Sequence, residues 1–242
     1  MVNNLKYIRN MKIDIFADTA NLNEIRKLNK LGYIKGYTTN PTIIKNNNIK
    51  NYITFAKKMI KLTNNKPVSF EVISDDLKEI EKQALKISSW GKNVFVKIPI
   101  SNTKEISTKK IIQKLNKNNI KLNITAITSF KQVKHLKSSI NKKTPIFISI
   151  FAGRIADTGR DANKVMKKSI NLFKGYKNVR FIWASPRQVY NLIEAEKVGC
   201  HIITLTNDIL NKLKFLNKNL DQYSLETVKM FYDDAVKSKL KI

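Results

Sequence analysis

The stretch Asn93-Val94-Phe95-Val96-Lys97-Ile98-Pro99 decides the fold. It is almost wholly apolar, with no alternation of polar and apolar residues, which is the pattern of a strand covered on both faces, as in a parallel sheet. Pro99 cannot donate to a sheet ladder and stops the run, so Lys97 falls at the strand's carboxyl end. An ammonium taken out of water is disfavoured; its pKa falls, and the neutral amine that results is the nucleophile needed for a Schiff base with a carbonyl. The competing reading of such a lysine is structural, with its stem snorkelling to the surface or its head paired with a carboxylate.

Outward from this segment, short apolar runs alternate with longer amphipathic ones. Strand patterns fall at 12–18, 36–40, 68–72, 94–98, 122–126, 146–150, 179–184 and 201–205. Helical periodicity fills 22–31, 51–62, 77–90, 108–117, 130–138, 162–173, 188–198 and 208–216, with one more helix expected over 224–240. Asn21 followed by Glu24 offers a capping box for the first of these helices. Eight strand–helix units without a composition break predict an α/β fold. The expected architecture is one closed (β/α)8 TIM barrel spanning 1–242, with an additional C-terminal helix. The rival, a doubly wound open sheet, carries a glycine-rich phosphate turn after its first strand. Here that place holds Asp18-Thr19-Ala20-Asn21, in a chain with only seven glycines.

With 242 residues and 42% hydrophobic composition the chain can bury a large core, which excludes low-complexity disorder. Cys200 is the single cysteine, so no intrachain disulfide forms, in keeping with a reducing compartment; its setting in Val198–Ile203 is that of a small core residue. No apolar run reaches the roughly 18–20 residues that span a bilayer. Residues 1–12 lack a signal-peptide apolar core, so 1–11 are taken as a short extension, with Met11 an alternative start, and the expected location is cytoplasmic. The net charge of +28 comes mainly from lysine, 40 of the 46 basic residues. The lysines are spread over every expected helix, so compositional bias of the source is the simplest account. Attraction of anionic small substrates and a nucleic-acid role are the alternatives, the last disfavoured for want of a basic tail or binding motif. His135 and His201, the only histidines, are far apart, and no metal is expected.

In a barrel of this kind active sites sit at the carboxyl ends of the strands. Those ends supply Asp18, Asn40, Glu71, Lys97, Asn123 with Thr125, Ser149 leading to Arg154, and Ser185 with Arg187. Any one has a bland reading: Asp18 a helix cap, Asn40 before Pro41 a turn residue. Seven consecutive strands delivering a polar side chain to one rim make a site the better reading.

The segments Phe16-Ala17-Asp18-Thr19-Ala20-Asn21, Thr38-Thr39-Asn40-Pro41-Thr42, Val96-Lys97-Ile98-Pro99 and Gly153-Arg154-Ile155 resemble the transaldolase family. The likeness is to its small single-barrel members and the related fructose 6-phosphate aldolases, running collinearly from about Ile13 to the last helix. The resemblance implies that Lys97 forms the Schiff base with C2 of a ketose phosphate. It implies that Asp18 takes the C4 hydroxyl proton as the C3–C4 bond breaks, and that Glu71, through a water held with Thr125, moves protons during imine formation. Asn40 and Asn123 would hold hydroxyls of the three-carbon unit, beside Ser149 and Phe151, and Arg154, Ser185 and Arg187 the phosphate. Arginine is scarce here, six in the chain, and two stand at these rim positions, where a planar fork suits an oxyanion. The alternative is that they pair with rim acids. The family also implies no cofactor, a place in the pentose phosphate pathway, and rings of five that pair into decamers. Leu225, Val228, Phe231 and Ala235, at helical spacing, suit docking of the last helix on a partner or on its own barrel.

Two activities remain in view. A transaldolase keeps the dihydroxyacetone unit on the lysine until an aldose acceptor arrives, whereas the aldolase relatives release it. The aldolase branch carries glutamine and tyrosine where this chain has Glu71 and Phe151, so the pattern is that of the transferase. Departures cluster at the phosphate end. Ile155-Ala156-Asp157-Thr158 replaces consecutive acids, Pro186 intervenes between Ser185 and Arg187, and strand eight runs into Thr204-Leu205-Thr206-Asn207, less apolar than expected. Another anionic ketose, such as a sulfonate, is therefore an alternative substrate, and a basic polyanion-binding barrel is the non-enzyme alternative. Arg160, between Asp157 and Asp161, is expected in a loop salt bridge.

Overall fold

The computed structural model describes residues 2–239. Eight strands form a closed all-parallel barrel in sequential order: β1 (Asp14–Asp18), β2 (Ile34–Thr38), β3 (Val68–Glu71), β4 (Val94–Pro99), β5 (Leu122–Ile127), β6 (Ile146–Ile150), β7 (Val179–Trp183) and β8 (Ile202–Thr206), which pairs back onto β1. The helices in order are α1 (Val2–Asn10), α2 (Leu22–Asn29), α3 (Pro41–Asn46), α4 (Tyr52–Leu62), α5 (Leu77–Ser88), α6 (Lys109–Lys117), α7 (Phe130–Leu136), α8 (Ala152–Ala156), α9 (Ala162–Leu172), α10 (Tyr190–Lys197), α11 (Asn207–Lys212) and α12 (Leu220–Lys237).

Each expected strand is present, and the barrel architecture stands. The differences lie at the periphery. Residues 2–10, taken as an extension, form α1, whose Ile8 joins the core. Two single-turn helices, α3 and α8, appear in the connections after β2 and β6, where the motif-like sequences gave no helical period. The last helix begins four residues earlier than expected, because Asn219 caps it through the Gln222 amide; position 240 of that expected helix lies outside the described residues. Asn21 does cap α2, accepting from Asn23 and Glu24, but the box is not closed: Glu24 accepts instead from the Thr19 hydroxyl, at 2.7 Å.

Because side chains alternate along a strand, parity sorts the barrel interior into layers drawn from alternate strands. The middle of the lumen is aromatic. Phe95 stacks on Phe147 with centroids 3.9 Å apart, Phe16 meets Phe147 edge-on at 5.7 Å, and Ile182 and Ile202 complete the plug. Below it Asp14 pairs with Arg180 at 2.7 Å, and Lys121 lies over the Phe95 ring at 5.8 Å. Above it lies a mostly polar layer: Thr38, Lys97, Ser149 and Thr204 from the even strands, with Asp18, Glu71 and Thr125 from the odd ones, and Ala184 and Phe151 as apolar members beside the plug. Burying each phenylalanine of the plug contributes on the order of 1.5–3 kcal/mol, so the apolar layer can hold a polar layer above it.

Gly36 is the gap that lets the plug close. A Cβ built there would lie 2.5 Å from the Phe16 ring, closer than carbon atoms pack. Among the described residues no helix is long and apolar enough to cross a membrane. Cys200 is buried, which pushes its thiol up to about 12, and His201 Nδ1 accepts from the Phe181 amide at 3.0 Å, so both belong to the packing of β7 against β8. Gly36→Ala is expected to destabilise the protein by about 1–3 kcal/mol through overpacking, measured by urea unfolding. Pairing it with Phe16→Leu should recover part of the loss; equal costs with and without Phe16→Leu would contradict the packing account.

Candidate active site

Lys97 is the anchor. β4 is covered on both faces and leaves this lysine 6% exposed. Its Nζ lies 3.0 Å from Glu71 Oε2 and donates to the Thr39 carbonyl at 2.9 Å. Parallel pairing of β3 with β4 sets Glu71 directly beside Lys97. An ammonium in this position would cost several kcal/mol without partners; the carboxylate and the carbonyl offset that cost. Glu71 is itself fixed through its backbone. The Tyr52 hydroxyl, from α4, accepts from the Glu71 amide at 3.0 Å and donates to its carbonyl at 3.2 Å. Burial pushes the Tyr52 phenol up to about 12, so it stays protonated at any working pH.

Asp18 ends β1, in register with Thr38. The Thr38 hydroxyl donates to Oδ1 at 2.7 Å and the Asn40 amide to Oδ2 at 3.3 Å. Asn40 serves two elements, because its Oδ1 also accepts from Ile43 and caps α3, whose first residue is Pro41. Burial raises the Asp18 pKa above the ordinary carboxyl value; Lys97, Thr38 and Asn40 pull against that rise, while Glu71 adds to it.

On the far side of Lys97, Asn123 is in register with it across β4 and β5. The Ser149 hydroxyl donates to Asn123 Oδ1 at 2.7 Å, and Asn123 Nδ2 donates to Ser69 Oγ at 2.9 Å, so the amide is held from both sides. Thr125 Oγ1 is buried with no protein partner. Phe151 is half-buried and packs on the aromatic plug.

Arg154, Ser185 and Arg187 gather at the adjacent rim as a second group. α8 carries Arg154 exposed to solvent. Arg187 grips Asp157 with two N–H groups, Nε at 3.0 Å and Nη2 closer. That grip holds the Asp157 carboxyl below its usual range, with the charge of Arg154 adding, and leaves the Arg187 Nη1 edge outside the pair. Arg160 corrects an expectation. Asp157 is taken by Arg187 and Asp161 caps α9, so Arg160 donates to the Thr158 hydroxyl at 3.0 Å instead. The inserted Pro186 is accommodated by Ser185 in a left-handed conformation, φ 59°. The Ser185 carbonyl then occupies the place a Cβ at Gly153 would need, 1.7 Å away, so the loops carrying the two arginines interlock through that glycine.

The structure thus joins Lys97, Glu71, Asp18, Asn40, Asn123 and Ser149 to one polar layer, with Thr125 beside it, and keeps the arginine group apart at the rim. Sequence reasoning passed over Thr38, the Thr39 carbonyl, Tyr52, Ser69, Asp157 and Thr204. Ser69 and Thr38 stand two residues from a named neighbour of the same parity, which was the available signal; Tyr52 lies on a helix whose apolar period conceals it. A surface groove of about 770 Å³, lined by Lys131, Lys134 and His135 among others, holds only exposed or half-exposed polar side chains. Among the described residues no group of three or more His, Cys, Asp or Glu side chains is arranged to hold a metal ion.

A buried lysine paired with a glutamate thus stands at the carboxyl end of a closed parallel barrel, where enzymes of this fold carry their active sites. The family model described as Transaldolase/Fructose-6-phosphate aldolase matches residues 15–242, and the chain belongs to that family. A protein named "Probable transaldolase" from Thermoanaerobacter sp. is 32% identical over 228 residues, covering 94% of this chain and 99% of its own. Another of that name, from Methanococcus maripaludis, is 35% identical over 199 residues, covering 82% and 88%. Among solved structures the barrel resembles a dihydrodipicolinate synthase family protein from Coccidioides immitis, with TM-score 0.60, 10% identity and coverage of 80% and 67%. A dihydrodipicolinate synthase from Rhodopseudomonas palustris matches with TM-score 0.50, 10% identity and coverage of 93% and 80%. At such identities the likeness concerns the fold alone.

The raised Asp18 pKa has a stability consequence whose sign is fixed. A carboxyl that prefers its proton when folded adds stability below the unfolded pKa, about 3.9, and that contribution is lost as pH rises through the folded value. Asp18→Asn carries no charge to desolvate. Its Tm relative to the parent should therefore rise from pH 4 to pH 8, by about 2–4 °C per kcal/mol of relief for a chain of this size, measured by calorimetry. A difference independent of pH would show that Asp18 is not penalised by burial.

Proposed function

We propose that this protein is a Schiff-base transaldolase, moving a dihydroxyacetone unit from a ketose phosphate, such as fructose 6-phosphate or sedoheptulose 7-phosphate, to an aldose phosphate. The observation that carries the reading is the Lys97–Glu71 contact of 3.0 Å, with Asp18 on the same polar layer. Glu71 is placed to accept a proton from the lysine ammonium, freeing the amine to add to C2 of the ketose. Loss of water from the adduct, with Glu71 returning the proton and Thr125 steadying the water, gives the iminium. Cleavage of the C3–C4 bond sends its electron pair into the iminium as the C4 hydroxyl proton passes to Asp18, and the shortened aldose departs. The enamine left on Lys97 attacks the aldehyde carbon of the acceptor, Asp18 returns the proton to the new hydroxyl, and hydrolysis releases the product ketose. Asn123, oriented by Ser69 and Ser149, and Asn40 hold hydroxyls of the three-carbon unit. Arg154 and the outward edge of Arg187, with Ser185, take the phosphate.

Phe151 supports transfer over release. It offers no hydroxyl to protonate the enamine, and it covers the plug with an apolar ring. The reaction belongs to the pentose phosphate pathway of the cytoplasm and requires no cofactor. The polyanion-binding reading gains nothing from the geometry, since a buried, paired lysine contributes nothing to a phosphate-binding surface. The protein is a homo-oligomer in this proposal: α12 has no buried residue, and it exposes Leu225, Val228, Met230, Phe231, Tyr232 and Val236.

Borohydride added during turnover of fructose 6-phosphate should leave a reduced three-carbon adduct on Lys97, located by peptide mass spectrometry. Erythrose 4-phosphate supplied before the reductant should discharge it. Absence of an adduct with phosphorylated, sulfonated and neutral ketoses alike would sink the proposal, while an adduct that erythrose 4-phosphate fails to discharge would favour the aldolase. By sedimentation, the full chain should run well above its 27.9 kDa protomer, and a chain ending at residue 219 should dissociate. A monomeric full-length protein would refute the role given to α12.

A further inference from the structure

Thr204 has no role in any step above, yet its hydroxyl lies 2.5 Å from that of Thr38, on the polar layer of the lumen, and the residue is 5% exposed. β8 and β2 both flank β1, and the two hydroxyls meet from either side of it. A hydroxyl has one proton to give. When Asp18 is ionised, Thr38 gives its own to Asp18 Oδ1 at 2.7 Å, so in the Thr38–Thr204 contact Thr38 can only accept and Thr204 must donate. The direction of the whole chain follows: Thr204 to Thr38 to the carboxylate.

We propose that Thr204 is a positioning residue for Asp18, acting through Thr38 to keep the carboxylate ionised and aimed at the C4 hydroxyl. The inference rests on the proposed function for the identity of that hydroxyl, but not for the hydrogen-bond chain. Thr204 polarises the Thr38 hydroxyl and prevents it from turning round. A Thr38 without that donor is free to accept from Asp18, an arrangement that only the protonated, inactive acid can make. The chain therefore opposes the effect of burial on Asp18. The other groups that act on this carboxyl are Lys97 from β4, Glu71 from β3 and Asn40 after β2; none of them is touched by a change at position 204.

The oddity of strand eight has a use on this account. Thr204-Leu205-Thr206 is less apolar than a barrel strand needs to be, because position 204 points into the polar layer beside Thr38. Leu205, of opposite parity, is fully buried among the helices.

Thr204→Val keeps the shape and removes the hydroxyl; Thr204→Ser keeps the hydroxyl. The first readout does not depend on catalysis: titration of the Asp18 carboxyl by 13C NMR in protein labelled at aspartate, assigned with Asp18→Asn. The midpoint should rise by about 0.5–1 pH unit in Thr204→Val, the size expected for one lost hydrogen bond, and stay in place in Thr204→Ser. The second is the pH profile of transfer from fructose 6-phosphate to erythrose 4-phosphate. Its acid limb should move up with the NMR midpoint, with kcat down about three- to tenfold near neutrality, KM little changed, and the borohydride-trapped adduct of Lys97 with dihydroxyacetone forming at the parental rate.

An unmoved midpoint and pH profile would overturn the inference. So would equal losses in adduct formation and transfer, since those would mark Thr204 as a packing residue. If Thr204→Val does not fold, Thr204→Cys, with its weak S–H donor, supplies the same comparison and should fall between serine and valine. If the parent protein cleaves no ketose, the proposed function fails, while the NMR titration still decides whether the chain governs Asp18.

Discussion

Closing eight strands into a barrel takes the inward side chains away from bulk water, so a charged group placed there depends on partners supplied by the barrel itself. The Lys97 ammonium is the severest case. Its removal from water is tolerated because Glu71 stands beside it in register and because the Thr39 carbonyl turns inward at the end of β2. Removal of Glu71 would leave a buried charge without its counter-ion, a change that costs about 3–5 kcal/mol, and loss of the Thr39 carbonyl would leave the ammonium one acceptor short. Much of the site's architecture follows from holding those two partners still: Tyr52 clasps both backbone groups of Glu71, and Asn40 fixes the turn that follows Thr39.

Two electrostatic environments therefore sit within one lumen. Around Lys97 and Glu71 opposite charges compensate each other. Asp18 is held by neutral donors, Thr38 and Asn40, and its carboxyl rises because burial outweighs them. Acid–base chemistry at neutral pH needs groups whose environments differ in this way. At the outer rim the balance reverses again. Arg187 and Asp157 lower each other's tendency to change charge, in partial contact with water, where a pair contributes orientation more than energy.

The barrel was legible because burial on both faces leaves a plain mark on sequence: eight short apolar runs, seven of them delivering a polar residue to the carboxyl rim, with amphipathic helices between. The site was legible in part for the same reason, since Lys97, Glu71 and Asp18 interrupt runs that should be apolar. What stayed hidden has physical causes. Thr38 and Ser69 are small and ordinary in strands, so nothing distinguishes an inward hydroxyl from an outward one until parity is set by the register. The Thr39 contribution is a backbone carbonyl, which no residue type announces. Tyr52 comes from the first turn of α4, whose apolar period conceals its hydroxyl, and Asp157 was assigned to Arg160 because proximity in sequence favoured it, whereas the α8 turn directs it toward Arg187. The missing helix α1 fell in a stretch whose period was too short to distinguish from a loose terminus.

The aromatic plug makes the lumen a cup with a single mouth. Phe16, Phe95 and Phe147 pack ring against ring across its floor, and Gly36 makes room for the Phe16 ring. Water and sugars share that one doorway in either direction. In the proposed reaction, the aldose that arrives at an enamine on Lys97 and the solvent that would quench it are rivals for the same space, and a bound acceptor acts as the stopper of the vessel in which it reacts. On that proposal, fidelity of transfer becomes a matter of traffic at the opening, where the rim carries Arg154 and Arg187.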